Sequence, residues 1–245
     1  MHTLNAVGSD ETLGQLAAHD IRKARVFKKY GLDFCCGGTA TLKDACTKKG
    51  LDPATLELEL QQADKMSASR PLSYNEWPLD FLADYIVNTH HSYVKQTLPD
   101  LKAFADKVAK AHGKQHPELA QIQQLVKEVD DELTQHLFKE EKILFPYIKT
   151  LVTAAKSGQP LQQAGFGTVQ NPIRMMETEH EMVGKNLARI RELSANYLLP
   201  EGACNSYKLL YSLLEEFEDD LHLHIHLENN ILFPKALELE EQLKK

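Results

Sequence analysis

From Leu79 onward, apolar residues recur at intervals of three and four with polar residues between them, the spacing of amphipathic helices. This pattern predicts long helices over about 79–111, 118–156, 172–197 and 203–243. Breaks fall at His112-Gly113, from Ser157-Gly158-Gln159-Pro160 through Asn171-Pro172, and at Leu199-Pro200-Glu201-Gly202. Mostly short connections between four helices favour an up-down-up-down bundle. Upstream the pattern is shorter-ranged. Thr12-x-x-Gln15 reads as a capping box opening a helix that carries Leu13, Leu16, Ala17 and Phe27 to about Tyr30, with Gly31 as its left-handed stop. A short helical pattern follows from Thr41 to Lys49, and Asp52-Pro53 supplies the N-cap and first residue of a third helix reaching about Lys65. No sustained alternation or hairpin turn is present, so the chain is expected to be all-α. The expected division is a small helical domain over 1–66, a linker over 67–78 and a bundle over 79–245. A unit as short as the first buries little surface, so it is expected to lean on a neighbour.

Within the bundle region one stretch occurs twice. His136-Leu-Phe-Lys-Glu140-Glu-Lys-Ile-Leu-Phe-Pro146 is echoed by His224-Ile-His-Leu-Glu228-Asn-Asn-Ile-Leu-Phe-Pro234. Residues four apart share a helix face, so each copy aims an imidazole and a carboxylate the same way. An earlier histidine precedes each copy at nearly the same distance, His91 before His136 and His180 before His224. His90 adjoins His91, but the spacing in the other half favours His91. Leu210, Leu213, Phe217, Leu221, His224, Glu228 and Ile231 form one inward stripe, and Val129, Leu133, His136, Glu140, Ile143 and Tyr147 form another. His222 and His226 lie about 200° round the helix from His224 and are expected at the surface. Glu132, on the inward side, and Glu179, beside His180, are candidates for orienting an imidazole.

A buried carboxylate without a cation or donors is unfavourable and would normally be neutralised. Four imidazoles and two carboxylates pointing into one bundle therefore suggest a binuclear transition-metal site. The donors are nitrogen and oxygen only, which suits iron, manganese or zinc and counts against a structural zinc site built on thiolates.

Composition narrows the rest. The chain has 245 residues, is 42% hydrophobic and 26% charged, and carries a formal charge of −7, which argues against a general nucleic-acid binder. No apolar run approaches the ~20 residues of a membrane span, and no signal peptide is legible at the start. The four cysteines do not form a disulfide framework, so a reducing cytoplasm is the expected location. Cys46 and Cys204 stand alone and read as small apolar residues. Cys35 and Cys36 are adjacent and followed by Gly37-Gly38; the glycines allow close backbone approach, and the ensuing helix start would favour thiolate over thiol.

Taken together, Asp33-Phe34-Cys35-Cys36-Gly37-Gly38 ahead of a bundle ending Leu-Glu-Asn-Asn-Ile-Leu-Phe-Pro resembles the repair-of-iron-centres family over essentially the whole chain. The resemblance implies a hemerythrin-like four-helix bundle preceded by a small N-terminal helical domain. It also implies two iron ions bridged by an oxo or hydroxo group and by carboxylates. Its metal ligands fall on His91, His136, Glu140, His180, His224 and Glu228, with Glu140 and Glu228 bridging, and its cysteine pair on Cys35 and Cys36, as redox or iron-transfer residues. The implied function is repair of iron–sulfur clusters after nitrosative or oxidative stress, with damaged iron–sulfur proteins as transient clients and a homodimer as one assembly. The alternatives are a nitric oxide or oxygen binder or sensor, and an enzyme reducing nitric oxide at the irons.

Overall fold

The computed structural model describes residues 11–65, 73–161 and 164–244; half of the expected linker, 67–72, lies outside them. The chain divides into two compact units: residues 1–78 with Ile225–Lys235, and Leu79–His224 with Ala236–Lys245. Among the described residues there is no strand, only isolated bridges at Thr12–Thr41 and Ala164–Gly167.

In the first unit, Thr12 caps helix α1 (Leu13–His19) as expected: its hydroxyl accepts from the Gln15 N–H at 3.2 Å, and Gln15 Oε1 accepts from the Thr12 N–H at 3.0 Å. The helix does not continue to Tyr30. Asp20 adopts an extended backbone, and its carboxylate accepts from the Arg22 N–H at 3.0 Å and from Arg22 Nε at 2.9 Å, so α2 (Lys23–Lys29) starts afresh. Helices α3 (Leu42–Lys49) and α4 (Pro53–Lys65) follow, with Gly50 closing α3 at φ 65°. Leu13, Leu16, Phe27, Phe34, Leu42 and Leu60 belong to one buried cluster. Cys46 is fully buried in it, as a small apolar residue would be. The unit also takes in Ile225–Lys235, whose His226 ring meets the Phe34 ring edge-on at 5.5 Å. A borrowed length of helix thus adds the apolar surface that so short a segment lacks.

The second unit is built on four long helical runs. Helix α5 comprises Leu79–Ile86, a wider π turn Val87–His91, and Ser92–His112. Helix α6 comprises Glu118–Lys139, a π turn Glu140–Leu144, and Phe145–Ser157. Helix α7 is Gln170–Leu193, and α8 comprises Asn205–Leu227, a π turn Glu228–Leu232, and Phe233–Leu243. Cross-helix pairs fix the directions. Lys102 meets Asp130, Lys95 meets Glu141 and Lys156 meets Asp80, so α6 runs antiparallel to α5. His136 meets Glu179 and Arg189 meets Gln121, making α7 antiparallel to α6. Tyr93 against Phe217 and His90 against Asp220 set α8 antiparallel to α5. The result is the up-down-up-down bundle that the spacing predicted.

The π turns correct the inward stripes. A proline has no N–H for the carbonyl four residues back and its ring crowds that carbonyl; a widened turn immediately before Pro146 and Pro234 accommodates both effects without ending the helix. The extra residue advances the helix by about 100°. Ile143, expected inside, is 46% exposed, and Leu144 is buried in its place. On α8, Ile231 is buried as expected, and well before the π turn Leu214 is buried and Leu213 only half so. Helix α7 ends at Leu193, short of the expected 197, because Ala195, Asn196 and Tyr197 adopt left-handed backbone at φ 49°, 60° and 58°. That turn buries Tyr197, whose hydroxyl donates to Glu218 at 2.7 Å beside the Arg191–Glu218 ion pair.

The end of α8 is anchored by Glu240. This buried carboxylate accepts from Tyr147 Oη at 2.9 Å, Thr168 Oγ1 at 2.6 Å, the Val169 N–H at 2.9 Å and Lys244 Nζ at 2.5 Å. Burial disfavours its charge, but these donors together hold its pKa down to about 2. Glu240→Ala is expected to lower stability by about 2–4 kcal/mol near neutral pH, since it leaves several donors without their acceptor. A depressed folded pKa stabilises above the ordinary carboxylate value and fades as pH falls from 4.5 toward about 2. Urea melts should therefore show the gap between wild type and variant shrinking below about pH 4.

Candidate metal centre

His91 closes the π turn of α5, Glu140 opens that of α6 one turn after His136, and Glu228 opens that of α8 one turn after His224. His180 lies midway along α7, without a π turn. All six side chains are at most 1% exposed. They fall into two groups, His91, Glu140, His224 and Glu228, and His136, Glu140, His180 and Glu228, each with its ligand atoms within 4.8 Å of one another. Glu140 and Glu228 belong to both groups. The sequence-predicted set is thus brought together complete, and His91 rather than His90 takes part.

Hydrogen bonds to the outer ring nitrogens orient two of the imidazoles. His136 Nδ1 lies 2.8 Å from Glu179 Oε2, and Lys139 also donates to Glu179. His91 Nδ1 lies 3.0 Å from Glu141 Oε1, which also accepts from Lys95 Nζ at 2.5 Å. Burial would raise the pKa of both carboxylates, but hydrogen bonds from Lys95 and His91 hold Glu141 below its ordinary value, and those from His136 and Lys139 do the same for Glu179. Carboxylates kept charged in this way accept the Nδ1 protons, which turns each Nε2 lone pair inward. His136 Nε2 then stands 2.9 Å from His180 Nε2 and 3.3 Å from Glu140 Oε2, while His91 Nε2 is 3.4 Å from Glu140 Oε2. Ring nitrogens and carboxylates converging this closely suit a cation between them, and the donor set of nitrogen and oxygen fits iron.

Of the two carboxylates expected to orient an imidazole, Glu179 lies against His136 Nδ1. Glu141, Lys95 and Lys139 were not singled out by the sequence. Their signal was their spacing, because each lysine stands one turn after a candidate histidine. His90 is buried against Asp220, with Nδ1 at 2.8 Å from Oδ1, and its ring stacks on His224 at 5.6 Å.

Other expectations need correction. His226 is fully buried rather than at the surface, because the Phe34 ring packs against it. Burial pushes its pKa down to about 4 against the pull of the Phe34 and Ala17 backbone, and Asn230 Nδ2 lies 3.2 Å from its Nδ1. His222 is half-buried. Cys204 is exposed rather than apolar filling, with Sγ 3.2 Å from His112 Nε2. Cys35 and Cys36 are free thiols with sulfurs 4.0 Å apart. The Cys36 sulfur, burial and the Asp33 carboxylate all push the Cys35 pKa up, so Cys35 is a thiol and not the thiolate expected from the helix start that follows.

Comparison with known proteins agrees with this geometry. Residues 82–236 match the hemerythrin HHE cation-binding domain, and residues 9–64 match a domain of unknown function, ScdA_N. The chain is 38% identical over 232 residues to the iron–sulfur cluster repair protein YtfE of Yersinia pestis strain Pestoides F, covering 93% of this chain and 97% of the relative. The same identity and coverage hold for YtfE of Yersinia pseudotuberculosis serotype O:1b. The chain belongs to the iron–sulfur cluster repair family. Its hemerythrin domain is an iron-binding one, and all six clustered residues of this family member lie within the matched span. No helix among its described residues is long and apolar enough to cross a membrane.

The orienting carboxylates provide a test. Glu141→Ala and Glu179→Ala should each weaken metal retention about 10–100-fold, whereas Glu132→Ala should leave it unchanged. Competition with a chelator, followed by metal analysis, measures the difference.

Proposed function

We propose that this protein repairs iron–sulfur clusters damaged by nitrosative or oxidative stress in the cytoplasm, supplying or managing iron for transient iron–sulfur clients. The observation that carries the reading is that Glu140 and Glu228 belong to both His/Glu groups. Two metal positions sharing two carboxylates is the layout of a bridged pair. On this reading His91 and His224 would hold one iron and His136 and His180 the other, with Glu140 and Glu228 available to both. The division of labour is a thiol-bearing domain over 1–66, a linker over 67–78 and the iron-holding bundle over 79–245.

A bridged iron pair supplies redox change and open coordination positions for a small ligand such as nitric oxide or oxygen. The chain's own residues set the conditions. The apolar stripes above and below the six side chains, among them Leu133, Leu221 and Phe145, keep bulk water out. Glu141 and Glu179 fix the tautomers of His91 and His136. Imidazole and carboxylate hold iron less tenaciously than a thiolate cage, which suits a site that must also release it. Cys35 and Cys36 take part in iron transfer or reduction, each requiring loss of the thiol proton at the moment of use.

Two measurements test this. Mössbauer spectroscopy on protein from iron-replete cells should show a coupled iron pair, and Glu140→Ala with Glu228→Ala should abolish the coupling; its survival would sink the bridging assignment. With a damaged iron–sulfur enzyme as client, wild type should restore activity, and Cys35→Ser with Cys36→Ser should slow restoration at least about tenfold, a loss of ~1.4 kcal/mol in effective transition-state stabilisation. If instead neither protein restores the client and both turn over nitric oxide under reducing conditions, catalytic reduction of nitric oxide replaces repair as the function.

A further inference from the structure

Among the described residues, one further cluster outside the bundle has the chemistry of a metal site. Asp33, Cys35 and Cys36 bring a carboxylate oxygen and two sulfurs within 4.8 Å of one another. Asp33 Oδ1 accepts from the Cys35 N–H at 3.0 Å and lies 3.1 Å from Cys35 Sγ, while the two sulfurs are 4.0 Å apart. In a tetrahedral site with metal–sulfur bonds of ~2.3 Å, neighbouring sulfurs stand about 3.8 Å apart, so the two thiols already have close to the required separation. Adjacent residues do not usually aim both side chains at one point.

The local fold explains why these do. Asn230 Nδ2 donates to the Phe34 carbonyl at 3.3 Å and to the Cys35 carbonyl at 3.2 Å, pinning the backbone on which the thiols sit. Gly38 has no room for a side chain: a Cβ there would stand 2.6 Å from the Phe34 carbonyl and 2.7 Å from Asn230 Oδ1. At Gly37 a Cβ would crowd the Asp33 carboxylate at 3.1 Å, so glycine lets Asp33 fold over the cysteines. Cys35 is buried, Cys36 half-buried and Asp33 exposed, which leaves one side of the cluster open to an incoming ion.

We propose that Asp33, Cys35 and Cys36 form a mononuclear site for a divalent transition-metal ion, ferrous iron in transit, separate from the bundle centre. The proposal rests on the repair reading for its choice of iron. Binding breaks two S–H bonds and forms two S–metal bonds; both protons leave to solvent and no electrons move. With the Asp33 carboxylate as third ligand the loaded site carries one net negative charge and keeps a fourth position for water or a client's donor. The ion must displace a proton from a Cys35 thiol whose pKa is raised, which keeps the affinity modest, as suits a station where iron is handed on rather than stored.

The test uses the full-length protein with its bundle already loaded with iron, titrated anaerobically with Co²⁺ as the visible probe. Wild type should develop a near-ultraviolet thiolate-to-cobalt charge-transfer band that saturates at one equivalent and is displaced by Fe²⁺. Cys35→Ser with Cys36→Ser should lose the band, and Cys36→Ser alone, at a half-buried position tolerant of change, should lose most of its intensity. Asp33→Asn should retain the band with affinity weakened about tenfold or more. Bundle iron, which has no sulfur ligand, should be the same in every variant and serves as the folding control. No band, or one that survives removal of both cysteines, overturns the site; an unchanged affinity in Asp33→Asn removes Asp33 from it. Because no client is present, loss of the site and failure of cluster repair are read separately.

Discussion

Two carboxylates without exposed surface at the middle of a helical bundle are the constraint on which the rest depends. Glu140 and Glu228 are each 0% exposed, and an ion that deep is tolerated only where positive charge or donors surround it. The four imidazoles, the outer ring of Glu141 and Glu179, and the lysines beyond them make sense as concentric answers to that requirement. Each layer fixes the protonation or aim of the one inside it, and the last reaches solvent, where Lys95 is half exposed.

Helix geometry is adjusted to the same end. Three of the four long helices widen into a π turn at one of the clustered residues, and two of those turns also admit a proline that would otherwise break the run. In α5 no proline is involved at the turn; there the Val87 carbonyl accepts the Ser92 N–H across the wider turn and the Ser92 hydroxyl as well, at 3.1 Å. In α6 the bulge also rephases the helix, so Leu144 rather than Ile143 packs beyond the site, while Tyr147 and, on α8, Ile231 are buried as the period expects.

Much of this was legible in the sequence, for stated reasons. Spacing of three and four fixed the long helices, and the repeated His-x-x-x-Glu and Ile-Leu-Phe-Pro blocks exposed the pairing of the two halves. His91 could be chosen over His90 only because the other half offered a reference distance. The misses share a cause: they depend on what a residue meets across the fold rather than on its own helix. A helical wheel sets His226 about 200° from His224 but cannot show that Phe34 packs against it. Ile143 was misplaced because a π turn has no signature in apolar periodicity. The left-handed run at Ala195–Tyr197 contains no glycine to announce it. The thiol state of Cys35 followed from its neighbours Asp33 and Cys36, whose side chains had to be located first.

The alternation along α8 has a consequence for how such chains can diverge. His224 and Glu228 contribute to the bundle groups, while His226 meets Phe34 and Asn230 holds the Phe34 and Cys35 carbonyls, all within two turns of one helix. Inserting or deleting a single residue there would rotate everything beyond it by about 100°. No rotamer change could then restore both sets of contacts at once. Substitutions can accumulate at the positions between, but the length of this stretch is locked. Homologous chains should align through it without a gap, even where their flanking loops have grown or shrunk.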